Sequence, residues 1–110
     1  MTPAAFRQHL ATHRAPPAAE SAALQALWWA KKGEWDKAHR IVMEEHSAEA
    51  AWVHAYLHRV EGDLPNAGYW YRQAKRRAAT GALDAEWDEI VTALTTHGAL
   101  RVTAAPVPRL

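Results

Sequence analysis

The sequence predicts an all-α domain. Alanine is abundant, no run of β-branched residues occurs, and six stretches of helical character are separated by prolines and glycines. Thr2 followed by Pro3 opens a first helix that reaches about Thr12, with the threonine as cap and the proline at the first helical position. Pro16-Pro17 interrupts the chain, and Pro17 starts a second helix to about Lys32, ended by Gly33. A third helix spans about Trp35 to Glu45. Ser47 caps a fourth, which runs to Glu61 and stops at Gly62. Asp63 caps a fifth, from Leu64 to about Ala78, with Pro65 tolerated in its first turn. Thr80-Gly81 is a break, after which Asp84 caps a sixth helix to about His97, closed by Gly98. The domain is expected to cover residues 1–98, and residues 99–110 to form a tail.

Bulk properties narrow the function classes. A chain of 110 residues makes one domain and buries roughly two thirds of its surface on folding, enough to fold without staples. It has no cysteine, which excludes disulfides, thiolate metal sites and thiol nucleophiles. The net charge of +1 gives no reason to expect nucleic acid. The opening MTPAAFRQHLATHR has no apolar run of signal-peptide length, and no stretch reaches transmembrane length. No membrane association is therefore expected, and the cytoplasm is the expected compartment.

An internal repeat organises the middle of the chain. GEWDKA at 33–38 aligns with GDLPNA at 62–67, an offset of 29 residues. Ala26 then falls on Ala55, Trp35 on Leu64, Ala38 on Ala67 and Val42 on Tyr71. Each unit is helix, glycine turn, helix. One such hairpin cannot bury its own apolar face, so two stack and the outer helices cover the ends.

These positions resemble the tetratricopeptide repeat, which has a small residue late in its first helix, a Gly-Asp-aromatic turn, and Ala, aromatic, Ala on the second. The second unit carries Ala55, Gly62-Asp63, Ala67, Tyr71 and Ala74 at matching spacings. The first carries Ala26, Gly33-Glu34-Trp35 and Ala38, then departs with Val42 and Glu45. The likeness covers roughly residues 20–78, and its period of 29 is shorter than the family's usual 34. It implies two stacked tetratricopeptide-like hairpins flanked by an N-terminal and a C-terminal helix. It also implies a binding or scaffold module that takes a protein or peptide along the first-helix face of each unit, here Trp52, Tyr56 and Arg59 with Leu27. The string 52–72 also resembles the core of a family of small bacterial proteins, a likeness that implies no activity.

The fourth helix raises a second possibility. His54, His58 and Glu61 are spaced i, i+4, i+7, which at about 100° per residue places them within roughly 60° of arc. Two histidines one turn apart can reach one metal ion, a carboxylate one turn on can be a third ligand, and His39 or His46 can supply a fourth. Matched to the repeat, His54 and His58 occupy packing positions, so burial without a partner would cost about 1–3 kcal/mol each. Three readings are open: core histidines bonded to Asp63, Asn66, a tyrosine or backbone; a metal or small-molecule site; and a solvated stripe. On the fifth helix, Asn66, Tyr69 and Arg72 could join the histidines to hold an anionic or sugar-like ligand. The basic run Arg72, Lys75, Arg76, Arg77 falls at the expected helix C-terminus, where cations complement the macrodipole.

No catalytic signature is present. Ser21 and Ser47 stand at helix starts, no phosphate loop occurs, and HAYLH lacks the glutamate of zinc peptidases. Two function classes follow. The first is the scaffold module. The second is a site for a small molecule or a divalent transition metal, built on His54, His58, Glu61 and His39, which leaves open whether the protein is an enzyme. Of the adjacent Trp28 and Trp29, one belongs in the core and the other at an interface. With six tryptophans in a short stack, a homodimer is expected.

Overall fold

The computed structural model describes residues 1–104, with side chains as far as Thr95; residues 105–110 of the expected tail lie outside the described residues. Among the described residues six helices occur and no strand: α1 Pro3–Thr12, α2 Ala22–Lys31, α3 Trp35–Met43, α4 Ala48–Val60, α5 Leu64–Ala74 and α6 Leu83–Ala104. α2 with α3, and α4 with α5, form two hairpins. α4 is the central element and also packs against α2, α3 and α6, while α6 returns to cover α1 and α2.

The helix starts follow from their caps. Thr2 Oγ1 accepts from the Ala5 amide (3.0 Å), Ser47 Oγ from Ala50 (3.0 Å) and Asp63 Oδ1 from Asn66 (3.2 Å). The second helix begins later than the prolines suggest. Residues 17–20 form a turn, with the Glu20 amide on the Pro17 carbonyl (3.1 Å), and Ser21 caps Leu24 instead. α3 ends at Met43 and α5 at Ala74, both earlier than expected. α5 stops because Lys75 turns left-handed (φ 59°) and the Arg76 amide bonds back to the Tyr71 carbonyl (3.0 Å). At the other end, Asp84 lies inside the first turn of α6, and the helix continues through Gly98 to Ala104. An interior glycine costs a helix only about 1 kcal/mol, so it does not by itself end one.

The two hairpin turns share the same pair of backbone hydrogen bonds and a left-handed glycine. Gly33 (φ 82°) bonds to the Ala30 carbonyl at 3.0 Å and Glu34 to Trp29 at 2.9 Å. Gly62 (φ 87°) bonds to Arg59 at 3.0 Å and Asp63 to His58 at 2.9 Å. Every partner is displaced by the same 29 residues. A Cβ at either glycine would meet nothing within 4 Å, so the left-handed backbone, not space, selects glycine. Burial repeats with the same offset: Ala26 and Ala55, Ala38 and Ala67, Val42 and Tyr71 are all buried. Trp35 and Leu64 break the correspondence, the first half-buried and the second 64% exposed.

The core is built on Trp28, Trp87, Phe6, Leu27, Leu57 and Ile90. The indole of Trp87 donates to the Leu27 carbonyl (2.9 Å) and that of Trp28 to His9 Nδ1 (3.0 Å), so both rings are buried without stranding a donor. Trp28 is the core member of the pair, and Trp29 is half-buried with the Lys37 ammonium 4.3 Å from its ring. The first-helix face expected to receive a peptide is closed. Leu27, Trp52 and Tyr56 are buried, and Arg59 bonds to Glu86 (2.7 Å) and to the Gly81 carbonyl. Glu86 also accepts from the Tyr71 hydroxyl (2.5 Å). α6 thus packs over Leu27 and Tyr56, and the Arg76 guanidinium lies on the Trp52 ring, so Trp52, Tyr56 and Arg59 present no open aromatic groove. Among the described residues no helix is long and apolar enough to cross a membrane.

Candidate metal centre

The far side of α4 carries the histidines. His54 and His58 are one turn apart on α4, facing His39 on α3 across the junction of the two hairpins. His54 and His58 are buried and His39 is half-buried. His54 Nε2 and His39 Nε2 are 3.0 Å apart and share a hydrogen bond. The ligating nitrogens of all three imidazoles lie within 4.8 Å of one another.

Two tryptophans wall the cluster. Trp70 on α5 lies flat on His54, with centroids 3.9 Å apart and planes 12° from parallel. Trp35 lies on His39 in the same way, at 4.5 Å and 19°. The Trp35 indole donates to the Leu57 carbonyl (2.7 Å), which pins it in place. Each indole covers one face of its imidazole and leaves the ring edge, with its nitrogens, uncovered by that stack.

Glu61, the C-cap of α4, completes the arrangement. His58 Nδ1 donates to Glu61 Oε2 at 2.6 Å. That bond fixes the tautomer and leaves Nε2 as the nitrogen available to a ligand. Asp63 also stands within 4.8 Å of His58 and Glu61, so two carboxylates sit at one side of the cluster. His54 is supported less well, because its Nδ1 is buried without a hydrogen-bond partner. A proton on Nε2, shared with His39, leaves Nδ1 a bare lone pair, which is cheaper to bury than an unpaired N–H.

Burial dominates the electrostatics. It pushes the His54 pKa down to about 4, helped by the nearby His39 and His58. Burial also lowers His39, as does His58, while Glu61 and Asp36 pull the other way. Both rings are therefore neutral at pH 7, the form that binds a metal ion.

The structure brings together four of the expected site residues: His39, His54, His58 and Glu61. His46 lies beyond the end of α3 and outside the cluster. Among the described residues Asn66, Tyr69 and Arg72 make no hydrogen bond or ring contact with the histidines. The Asn66 amide bonds to Asp63, Tyr69 is exposed and edge-on to Trp70 at 5.0 Å, and Arg72 is exposed. Trp35 and Trp70 were not anticipated as walls. The signals for them were present: Trp35 and His39 are spaced i, i+4, and Trp70 and His54 stand eight residues either side of Gly62, where an antiparallel hairpin sets them opposite. A scan against protein-family models found no match to this chain, and searches of curated proteins and of solved structures found none either.

Proposed function

We propose that the protein binds a divalent transition-metal ion through His39, His54 and His58, with Glu61 orienting His58. The observation that carries this reading is the convergence of three imidazoles from two hairpins onto one point, their nitrogens within 4.8 Å. Tetrahedral ligands at about 2.05 Å from an ion stand about 3.3 Å apart. The His39–His54 pair, at 3.0 Å, needs to open only slightly to admit one. Imidazole donors suit zinc, copper or nickel, not calcium or magnesium. The fourth position is left to an exogenous ligand, since Glu61 stands on the Nδ1 side of His58 with Asp63.

The outer shell sets the strength. Glu61 supports His58, but nothing supports His54 Nδ1. A missing outer-shell partner costs about 10–100-fold in affinity, so this centre is weaker than a fully supported three-histidine site. The test is a competition titration of zinc against a chromophoric chelator, on protein purified without a histidine tag. One ion per chain is expected, with binding lost in His39→Gln and His54→Gln and weakened about tenfold in Glu61→Gln. Wild type that takes no stoichiometric metal, or a His39→Gln/His54→Gln double variant that binds unchanged, sinks the proposal.

A protein-binding repeat scaffold is the second reading. The identical turns at Gly33 and Gly62 favour it, because they support the likeness to the tetratricopeptide repeat. With the first-helix face covered, the surface left to a partner is the outer face of α5, where Tyr69 and Arg72 are exposed. Tyr69→Ala with Arg72→Ala should abolish capture of such a partner and leave metal binding intact.

A further inference from the structure

On the other side of α4 from the histidines, the connection between α5 and α6 bends around a cleft of about 460 Å³. Trp52 lies at its base, and Lys75, Arg76 and Arg77 stand around it. Of the basic run only Arg72 lies within the last turn of α5; Lys75 is its C-cap, and Arg76 and Arg77 follow it into the connection. They are also unpaired. Among the described residues, the ion pairs of lysine and arginine are Arg7–Asp88, Lys31–Asp84 and Arg59–Glu86, and none involves this run. Two carboxylates line the cleft. Glu86 is already engaged by Arg59 and Tyr71, and Glu89, exposed on α6, pairs with none of the three cations.

The backbone adds donors of the same kind. Among the described residues, the amides of Arg77, Ala78, Thr80 and Gly81 donate to no backbone carbonyl. Arg76 is already held, its guanidinium carbon 3.4 Å from the centroid of the Trp52 ring. A guanidinium fixed on an indole loses little rotamer freedom when it binds a ligand, so its charge is pre-placed. The cleft volume falls in the range of small-molecule sites, about 300–1,000 Å³.

We infer that this cleft binds a small phosphate-bearing molecule. Phosphate oxygens would accept charge-assisted hydrogen bonds from Lys75, Arg76 and Arg77, and the amides of the 77–81 segment would complete the shell. Nucleic acid fits less well. A polyanion is held by cations spread along its backbone, whereas here they surround one cleft on a chain of net charge +1. The cleft shares no residue with the histidine cluster, so the two proposals stand or fall separately.

Inorganic pyrophosphate titrated into the full chain, followed by backbone amide NMR, tests the inference. Saturable shifts are expected at residues 77–81, with a Kd in the range of about 0.1–1 mM. Arg77→Gln and Lys75→Gly should each weaken binding about tenfold. Glycine adopts the left-handed conformation of Lys75 freely, so a loss of binding in Lys75→Gly is not a loss of fold. Arg40→Gln, an exposed cation off the cleft, should bind as wild type does, and chelator-treated protein should give the same shifts. No saturation, or an equal loss in Arg40→Gln, overturns the inference. So does a single-stranded oligonucleotide that binds more tightly than pyrophosphate and is not displaced by it.

Discussion

His54 and Trp70 lie ring on ring, 3.9 Å apart, as mirror positions eight residues either side of Gly62. The tryptophan keeps water off one face of an imidazole whose Nδ1 has no partner. That contact makes the histidine sensitive to pH and the tryptophan sensitive to replacement.

Stability should fall in mild acid. The unfolded chain protonates His54 near the ordinary value of about 6.5, and the folded chain only near 4. Between these values the unfolded state binds the extra proton. Stability is therefore full above pH 6.5 and declines as pH drops toward 4, by on the order of 3 kcal/mol for this one group. His39 shifts in the same direction and adds to the slope. Thermal melts from pH 4 to 8 with chelator should show the decline in wild type and a flatter profile in His54→Gln. Superimposable profiles would mean that His54 is not shielded in solution.

Trp70→Ala should cost about 2–3 kcal/mol, less than a fully buried tryptophan, because the ring is only half-buried. It should also raise the His54 pKa toward 6.5 as water reaches the ring. Imidazole proton shifts followed through a pH titration measure the second effect separately from the first.

Two backbone positions give opposite signs for related changes. Gly62→Ala puts a Cβ into a left-handed turn and should destabilise by about 1–2 kcal/mol, with no steric contribution. Lys75→Gly relieves the same kind of strain at φ 59° and should stabilise, or at worst be neutral, despite the entropy glycine adds to the unfolded chain. Urea unfolding of both variants checks the pair. A destabilised Lys75→Gly would mean that the lysine side chain is held by the fold.

Glu86→Gln should destabilise by about 3 kcal/mol or more. It removes the counter-charge of Arg59, whose side chain is 12% exposed, and disturbs the short bond from Tyr71. An Arg59→Met/Glu86→Leu double variant should recover much of the loss, since no charge is then left stranded. Chemical denaturation of the single and double variants gives the coupling directly.

The order of the helices was legible in the sequence because each boundary has a local cause: Thr2, Ser47, Asp63, Gly33 and Gly62 act within a turn of themselves. The missed ends have local causes that the sequence signals weakly: Ser21, not Pro17, starts α2, and α5 ends on a left-handed Lys75. Nothing near Lys75 announces a left-handed residue; Arg76 reaching across to Trp52 accompanies it. The histidine stripe on α4 could be read from its spacing, and His39 could only be added as a candidate. That His39 meets His54 depends on how the hairpins stack, which the repeat offset indicates but does not measure. The closed groove was not legible at all. It follows from the placement of α6, through Trp87 on the Leu27 carbonyl and Glu86 on Arg59, contacts spanning 60 and 27 residues.

Those long spans bear on how the chain acquires its shape. Each hairpin closes over a short loop, but α6 must return across most of the sequence, and Arg7 finds Asp88 over a separation of 81 residues. Loop closure of that length is entropically costly and slow compared with hairpin formation. The hairpins should therefore form first, with the Trp52–Tyr56 face of α4 briefly bare, and α6 should dock last. Pulse-labelled hydrogen exchange during refolding should then show amide protection in α4 and α5 before α6. The face that is sealed in the finished molecule is thus at its stickiest during synthesis, when the sixth helix has not yet left the ribosome.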